Sequence, residues 1–192
     1  MIQQLREYPT PDELRELYPA AHDSGLYGRG HGIRVALTIA TARAWQPEGW
    51  AAVVDLSCGD GRIAHGVSSA FPLKGDLAPG PGIEPDWIGP LEEQLQHRLV
   101  DGWDLYVCSE TLEHLKDPLL ALTLIRSKAK QLLLSTPIMG YAGDTNPEHV
   151  WCWDRAGVES LLSDAGWRSQ LFVELDTRPF GDPYTYGIWI AS

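Results

Sequence analysis

The chain of 192 residues has no excess of positive charge, no long apolar run and no closely paired cysteines. Fifteen Lys and Arg stand against 26 Asp and Glu, a formal net charge of −11, so a free polyanion meets a repulsive average field and generic DNA or RNA binding is disfavoured. No apolar stretch approaches the roughly 18 residues that span a bilayer. The opening MIQQLREYPTPDE has no basic segment followed by an apolar one, so no membrane partner is expected and a cytoplasmic protein is the default. The three cysteines, Cys58, Cys108 and Cys152, lie far apart with no C-x-x-C pair, which argues against a common zinc site or a redox motif. They read as reduced and half-buried. Repeats and low-complexity tracts are also missing, and the 19 Gly and 14 Pro gather in short clusters that look like loop punctuation. Tryptophan is abundant: eight residues, each offering flat apolar surface and one donor to a core or a pocket. The length suits one domain, residues 1–192, with a sizeable core.

In PDELRELY, Pro11 at the first helical position, acids in the first turn and Leu14, Leu17 and Tyr18 at helical spacing predict a short helix capped by Thr10. HDSGLYGRGHG, from His22 to Gly32, reads as turn-rich, and IRVALTIATARAW as a second helix. These elements make residues 1–48 an expected N-terminal helical lid, ahead of a core over 49–192. The run AAVVDLS (51–57) has the continuous apolar look of a buried parallel strand. RIAHGVSSAF follows as a helix, then strands at LKGDL, DWI, DLYVCS and QLLLST, with helices at LEEQLQHRL and PLLALTLIRSKAK between them. A last helix at DRAGVESLLSDAG precedes two strands, WRSQLFVEL and TYGIWIA. This alternation predicts an α/β, doubly wound, Rossmann-like sheet of seven strands, mostly parallel and closed by a C-terminal antiparallel edge pair.

VVDLSCGDGRIA is the most informative run: a strand, Asp55, the turn Cys58-Gly59-Asp60-Gly61, then a helix. Two glycines two residues apart let the backbone turn sharply and approach a ligand, and the helix start presents free N–H groups. The next strand ends in Asp76, placed to accept hydrogen bonds from ribose hydroxyls. An adenosine cofactor suits this arrangement; so would a nicotinamide dinucleotide, although the short glycine-to-acid spacing, the Asp before the loop and the edge pair weigh against it.

The ordered set D-x-x-C-G-x-G, an acid ending the second strand of the sheet, DLYVCSETLEHLKDP, LLLSTP and NPEHVWCWDRAGVESLLSDAGW resembles the class I S-adenosylmethionine-dependent methyltransferases over residues 51–191. The resemblance implies an enzyme of that activity. It puts Asp55, Gly59 and Gly61 around the methionine part of S-adenosylmethionine and Asp76 on the ribose, with Ser57 and Cys58 of the same loop also binding the cofactor. It also puts Leu91, with Gly89 and Pro90, against adenine, and Ser109 and Glu110 beside the sulfonium. One departure stands out: APGPGIEP replaces the fuller helix usual between the second and third strands, leaving the adenine end more open.

After the fourth strand of the sheet come Glu110, Glu113 and His114, which a helical turn would set on one face, and His149 follows the fifth strand at the same sheet edge. Two carboxylates and two imidazoles are a possible ligand set for Mn, Fe or Zn, with Mg and retained waters as an alternative. The E-x-x-E-H pattern is similar to that of the ubiquinone-pathway O-methyltransferases and of the small-RNA 3′-terminal 2′-O-methyltransferases, where the resemblance implies a divalent metal that acidifies a hydroxyl. Two other readings stay open: His114 or His149 as a metal-free general base, or a purely structural cluster. His65 and His97 read as solvated bystanders; His22 and His31 fall in the lid, where Tyr27, Arg29 and Arg34 are candidates to close the pocket.

Residues 138–153 form a loop of functional length in which Tyr141, Trp151 and Trp153 could wall a flat acceptor, one of the two Trp packing under the sheet instead. The expected function is O-methylation of a small-molecule hydroxyl. Alternatives are an RNA 3′-terminal 2′-O-methyltransferase, with Arg29, Arg34 and Arg178 as a local basic patch, and a non-catalytic module that binds the cofactor or a partner.

Overall fold

A computed structural model describes residues 1–21, 28–80, 84–139, 144 and 146–192. In chain order the elements are β1 (Ile2–Gln4), α1 (Pro11–Leu17), α2 (Gly28–Trp45), β2 (Val53–Asp55), α3 (Arg62–Val67), β3 (Leu73–Asp76), β4 (Trp87–Ile88), α4 (Leu91–His97), β5 (Trp103–Ser109), α5 (Pro118–Lys128), β6 (Ala129–Pro137), β7 (Trp151–Trp153), α6 (Arg155–Asp164), β8 (Ser169–Asp176) and β9 (Thr185–Ala191). Single 3₁₀ turns occupy Leu112–His114 and Arg178–Phe180.

The apolar runs form the sheet. Its order is β4-β3-β2-β5-β6-β9-β8: five parallel strands, then β9 antiparallel to β6 and β8 antiparallel to β9. The seven-stranded, mostly parallel sheet with its antiparallel edge pair is the expected one. Strands β2 and the middle of β5 and β6 are buried along consecutive residues because helices cover both faces. On one face Leu95, Leu122, Ile125 and Val158, from α4, α5 and α6, pack with Trp153 and Trp189. On the other, Val35 and Ala42 of α2 join Ile63, Leu105, Leu133 and Ile188. Helix α2 is therefore part of the sheet-covering layer, and the segment that reaches over the sheet edge is residues 1–21.

Helix α1 starts as its sequence demands: Thr10 accepts from the Glu13 N–H, and Glu13 accepts in return from the Thr10 N–H at 2.8 Å, a complete capping box. Helix α2 begins earlier than expected, at Gly28, so the turn reading of 28–32 is corrected. A Cβ on Gly30 would lie 2.3 Å from Asp182 Cβ, so its glycine lets the helix close onto the connection between β8 and β9. That tertiary contact overrides the weak helix propensity of three glycines. Residues 22–27, with His22 and Tyr27, lie outside the described set, as does Tyr141.

A second difference is the pair β1 and β7, an antiparallel two-stranded sheet that matches Ile2 with Trp153 and Gln4 with Trp151. Three-residue strands with no alternation carry too little pattern to be seen in sequence. Both tryptophans are committed to this unit: Trp153 is fully buried and donates to Thr136 Oγ1 at 3.1 Å, and half-buried Trp151 donates to Leu115 O at 2.9 Å. Trp153 fills the role of the one packed beneath the sheet. The three cysteines are free and buried, not half-buried. Among the described residues no helix is long and apolar enough to cross a membrane.

Candidate active site

An open cleft of about 1120 Å³, its mouth included, lies at the carboxyl ends of β2, β3 and β5. Asp55, Ser57, Cys58 and Gly59 line its floor, Asp76 and Leu91 one wall, and Ser109, Glu110, Thr111 and His114 the opposite wall. Eight of the nine expected cofactor contacts thus face one space; Gly61 instead turns the chain into α3 from behind the loop.

The loop conformation explains its glycines. Gly59 and Gly61 have φ of 52° and 71°, a region that costs other residues about 1–2 kcal/mol. Asp76 closes the loop from the next strand: one carboxylate oxygen accepts from Gly59 N–H and the other from Leu77 N–H, both at 2.8 Å. These bonds fix the carboxylate at the cleft. Asp55 accepts from Ser57 N–H at 3.1 Å. Burial, with a smaller push from Asp76, lifts its pKa to about 7 against that hydrogen bond.

The opposite wall centres on Arg34, a residue the sequence placed in a lid or basic patch. It is only 3% exposed. Its Nη1 donates to Ser109 Oγ at 2.7 Å and to Ser135 Oγ at 3.0 Å, and Nη2 lies 3.2 Å from His31 Nε2. Glu110, with a left-handed φ of 52°, turns its carboxylate toward this network, 3.9 Å from Arg34 Nη1 and 3.3 Å from Ser135 Oγ. Burial raises the Glu110 pKa well above the carboxylate range in spite of Arg34.

Glu110 is therefore separated from the cluster expected to include it. The backbone after β5 is a left-handed residue followed by a 3₁₀ turn, not one helical turn, so the i, i+3, i+4 face does not form. Glu113, His114 and His149 do converge, each offering a ligand atom within 4.8 Å of the others. Glu113 Oε1 is buried with no hydrogen-bond partner among the described residues and lies 3.9 Å from His114 Nε2. His114 Nδ1 sits 3.1 Å from Glu148 O and 3.0 Å from Tyr18 OH, which leaves Nε2 to face the glutamate. His149 Nδ1 contacts Asp144 Oδ2 at 2.6 Å, and its Nε2 lies 3.1 Å from Asn146 Nδ2. Burial lowers the His149 pKa, but Asp144, Glu113 and Glu148 outweigh it and the net shift is upward. An orphaned carboxylate oxygen close to two imidazoles, each held from behind by an acceptor, fits a divalent cation once the Asn146 amide gives way at His149 Nε2. Glu113 and His149 do not line the cleft itself.

Tyr8, Leu14 and Tyr18 from the N-terminal segment complete the cleft, as does Glu92, whose Oε1 is buried without a partner among the described residues. Sequence reasoning missed Asp144, Asn146, Tyr8 and Glu92, which belong to no periodic or spaced pattern. Of the three arginines expected in a basic patch, Arg34 is buried, Arg178 is paired with Asp176 at 2.7 Å, and Arg29 lies over the Phe180 ring. His65 and His97 are exposed.

No protein-family model matches the chain, and no curated protein matches it in sequence. Its fold has many counterparts among solved structures. The 1,6-didemethyltoxoflavin-N1-methyltransferase of Burkholderia thailandensis, solved with bound 1,6-didemethyltoxoflavin and S-adenosylhomocysteine, is 16% identical, with 99% of this chain and 93% of that one covered and a TM-score of 0.70. The cyclase SpnF is 14% identical, with 98% of both chains covered and a TM-score of 0.69. A small RNA methyltransferase is 18% identical over 81% of this chain and 24% of its own, with a TM-score of 0.62. These likenesses establish the Rossmann-like methyltransferase fold. A cyclase among them illustrates that the fold alone does not choose the chemistry.

Proposed function

We propose that the protein is an S-adenosylmethionine-dependent methyltransferase acting on a hydroxyl of a small molecule. The carrying observation is the cradle of Asp55, Gly59 and Asp76, which opens into the same cleft as Ser109, Glu110 and His114. When bound, S-adenosylmethionine supplies an electrophilic methyl group on its sulfonium. Asp76 accepts from the ribose hydroxyls, Gly59 admits the ligand close to backbone, and ionised Asp55 attracts the cationic methionine end. Leu91 offers apolar surface to the adenine. Tyr8, Leu14 and Tyr18 serve as a lid that excludes water, so the acceptor atom is held near the methyl group and desolvated there.

The acceptor hydroxyl must lose its proton. Glu113, His114 and His149 are the residues that would hold a divalent cation, of Zn, Mn, Fe or Mg, and such an ion would lower the pKa of a bound hydroxyl. In the metal-free form of the same reading, His114, which lines the cleft, takes the proton; His149, whose imidazolium Asp144 would stabilise from Nδ1, is the second candidate base. The choice of oxygen as acceptor rests on the E-x-x-E-H pattern and its likeness to the ubiquinone-pathway enzymes. The net charge of −11 and the burial of Arg34 favour a small molecule over RNA.

Calorimetry with S-adenosylhomocysteine, and with NAD as the competing ligand, tests the reading. The expected result is binding of the first alone. Asp76→Ala should weaken it about 100-fold, as for loss of a charged acceptor from two hydroxyls, and Gly59→Leu should abolish it. Unchanged affinity in both variants would overturn the assignment. Binding without methyl transfer to any hydroxylated metabolite would leave the protein a cofactor-binding module.

A further inference from the structure

His149 is anchored from outside the cleft. Strand β1 pairs with β7, Leu5 N–H continues the ladder to Val150 O at 2.7 Å, and Val150 N–H donates to Glu113 O at 2.9 Å. The N-terminal strand, the segment carrying His149 and the turn carrying Glu113 are thus joined by consecutive backbone bonds. Arg6 adds a side-chain tie from this strand's end to the turn before His149: Nη2 donates to Asn146 O at 3.0 Å and Nη1 to Pro147 O. That turn holds both groups that fix the imidazole, Asp144 at Nδ1 and Asn146 at Nε2. Asn146 O also accepts from the His149 N–H at 3.3 Å, so Arg6 grips the very carbonyl on which the His149 backbone rests.

We propose that Arg6 is a positioning residue, fixing the Asn146–Pro147 peptide and through it the Asp144–His149–Asn146 arrangement at the acceptor side of the site. Arg6 is exposed, lines no part of the cleft and touches neither histidine, so its influence passes through the two carbonyls. The planar guanidinium fork is suited to two adjacent carbonyls; a lysine ammonium, a point donor on a flexible stem, cannot hold both in one plane. The same segment then runs on to Tyr8 and Tyr18 at the cleft, and Ala21 N–H ends it on Pro79 O, just beyond the Asp76 wall, at 3.1 Å. The effect on turnover rests on the methyltransferase reading; the effect on His149 does not.

The test uses the full chain without ligand and compares Arg6→Ala and Arg6→Lys with Glu7→Ala, an exposed neighbour. Imidazole ¹H–¹⁵N correlations at fixed pH are read for each histidine, together with S-adenosylhomocysteine affinity and Tm. Both Arg6 variants should move the His149 ring signals beyond their linewidth, with a smaller change at His114 4.8 Å away, while affinity and the amide spectrum of the sheet stay as they were. Glu7→Ala should move nothing. Unshifted His149 signals in both Arg6 variants would overturn the proposal. So would a shift that comes with general loss of the β1 and β7 amides and of cofactor affinity, which assigns Arg6 to fold stability alone. Failure of the unsubstituted protein to bind S-adenosylhomocysteine would refute the methyltransferase reading and leave the imidazole comparison intact.

Discussion

The cofactor wall of the cleft and the acid–histidine cluster beside it are built in different ways. The cofactor wall comes from short neighbouring stretches: Asp55 to Gly61 is one continuous loop, and Asp76 reaches it from the adjacent parallel strand. The acid–histidine cluster, of which Tyr18 and His114 line the cleft, is gathered from four distant places: Tyr18, Glu113 with His114, Asp144 with residues 146–149, and Arg6 behind them. A wall made of backbone and its own loop is rigid and recognisable; one made of side chains from separate segments depends on every tie that holds them together. Loss of a single tie should therefore act sharply and singly on the first wall, and in graded fashion on the second.

Asp55 gives the largest effect outside direct loss of binding. Its folded pKa of about 7 stands above the ordinary value of 3.8, so between those limits the folded protein keeps a proton the unfolded chain has released. Stability of the ligand-free protein therefore falls as pH rises from about 4 to about 7, by at most about 4 kcal/mol. Asp55→Asn should flatten this slope in a denaturant series and raise stability at pH 8, yet weaken S-adenosylhomocysteine. A wild-type slope of opposite sign would show that burial does not govern this carboxyl. The cofactor's positive groups favour ionised Asp55, so affinity should decline as pH falls below about 7.

The metal reading predicts a smaller, reversible effect. Added Zn or Mn at about 100 times its Kd should stabilise the fold by about 2.7 kcal/mol, EDTA should reverse it, and Glu113→Ala with His114→Ala should remove the response. If Tm is indifferent to both ions and to chelator in the unsubstituted protein, Glu113 and the two histidines act without metal, and His114 is the base to examine first. The smallest effect belongs to Tyr18→Phe, which removes one hydrogen bond to His114 Nδ1 and should cost about 1 kcal/mol or less. Its value lies in where the change appears: in acceptor turnover if the N-terminal segment covers the reacting groups, in cofactor affinity if it covers only the cradle.

The contrast between the walls also sets what was readable beforehand. Strand β2 ending in Asp55, the glycine turn and Asp76 were legible because an apolar run, a Gly-x-Gly turn and a strand-end acid are all local signals. The segment from Glu110 to His114 was misread as one helical turn: spacing suggested a shared face, but Glu110 adopts a left-handed conformation and its carboxylate joins Arg34 and Ser135. Arg34 itself looked like a surface cation because nothing in its neighbourhood along the chain foretells two serines from β5 and β6.

By itself the amino-acid sequence determined the alternation of strands and helices, the antiparallel closing pair, the capped first helix and the residues of the cofactor loop, since each follows from periodicity, capping or backbone freedom within a few residues. Only the tertiary structure decided that α2 starts at Gly28, that Ile2–Gln4 is a strand, that Arg34 is buried, and that Asp144, Asn146 and Arg6 stand around His149. Those outcomes depend on contacts between residues tens of positions apart or more, whose energy comes from close packing and shared hydrogen bonds and leaves no period in the chain.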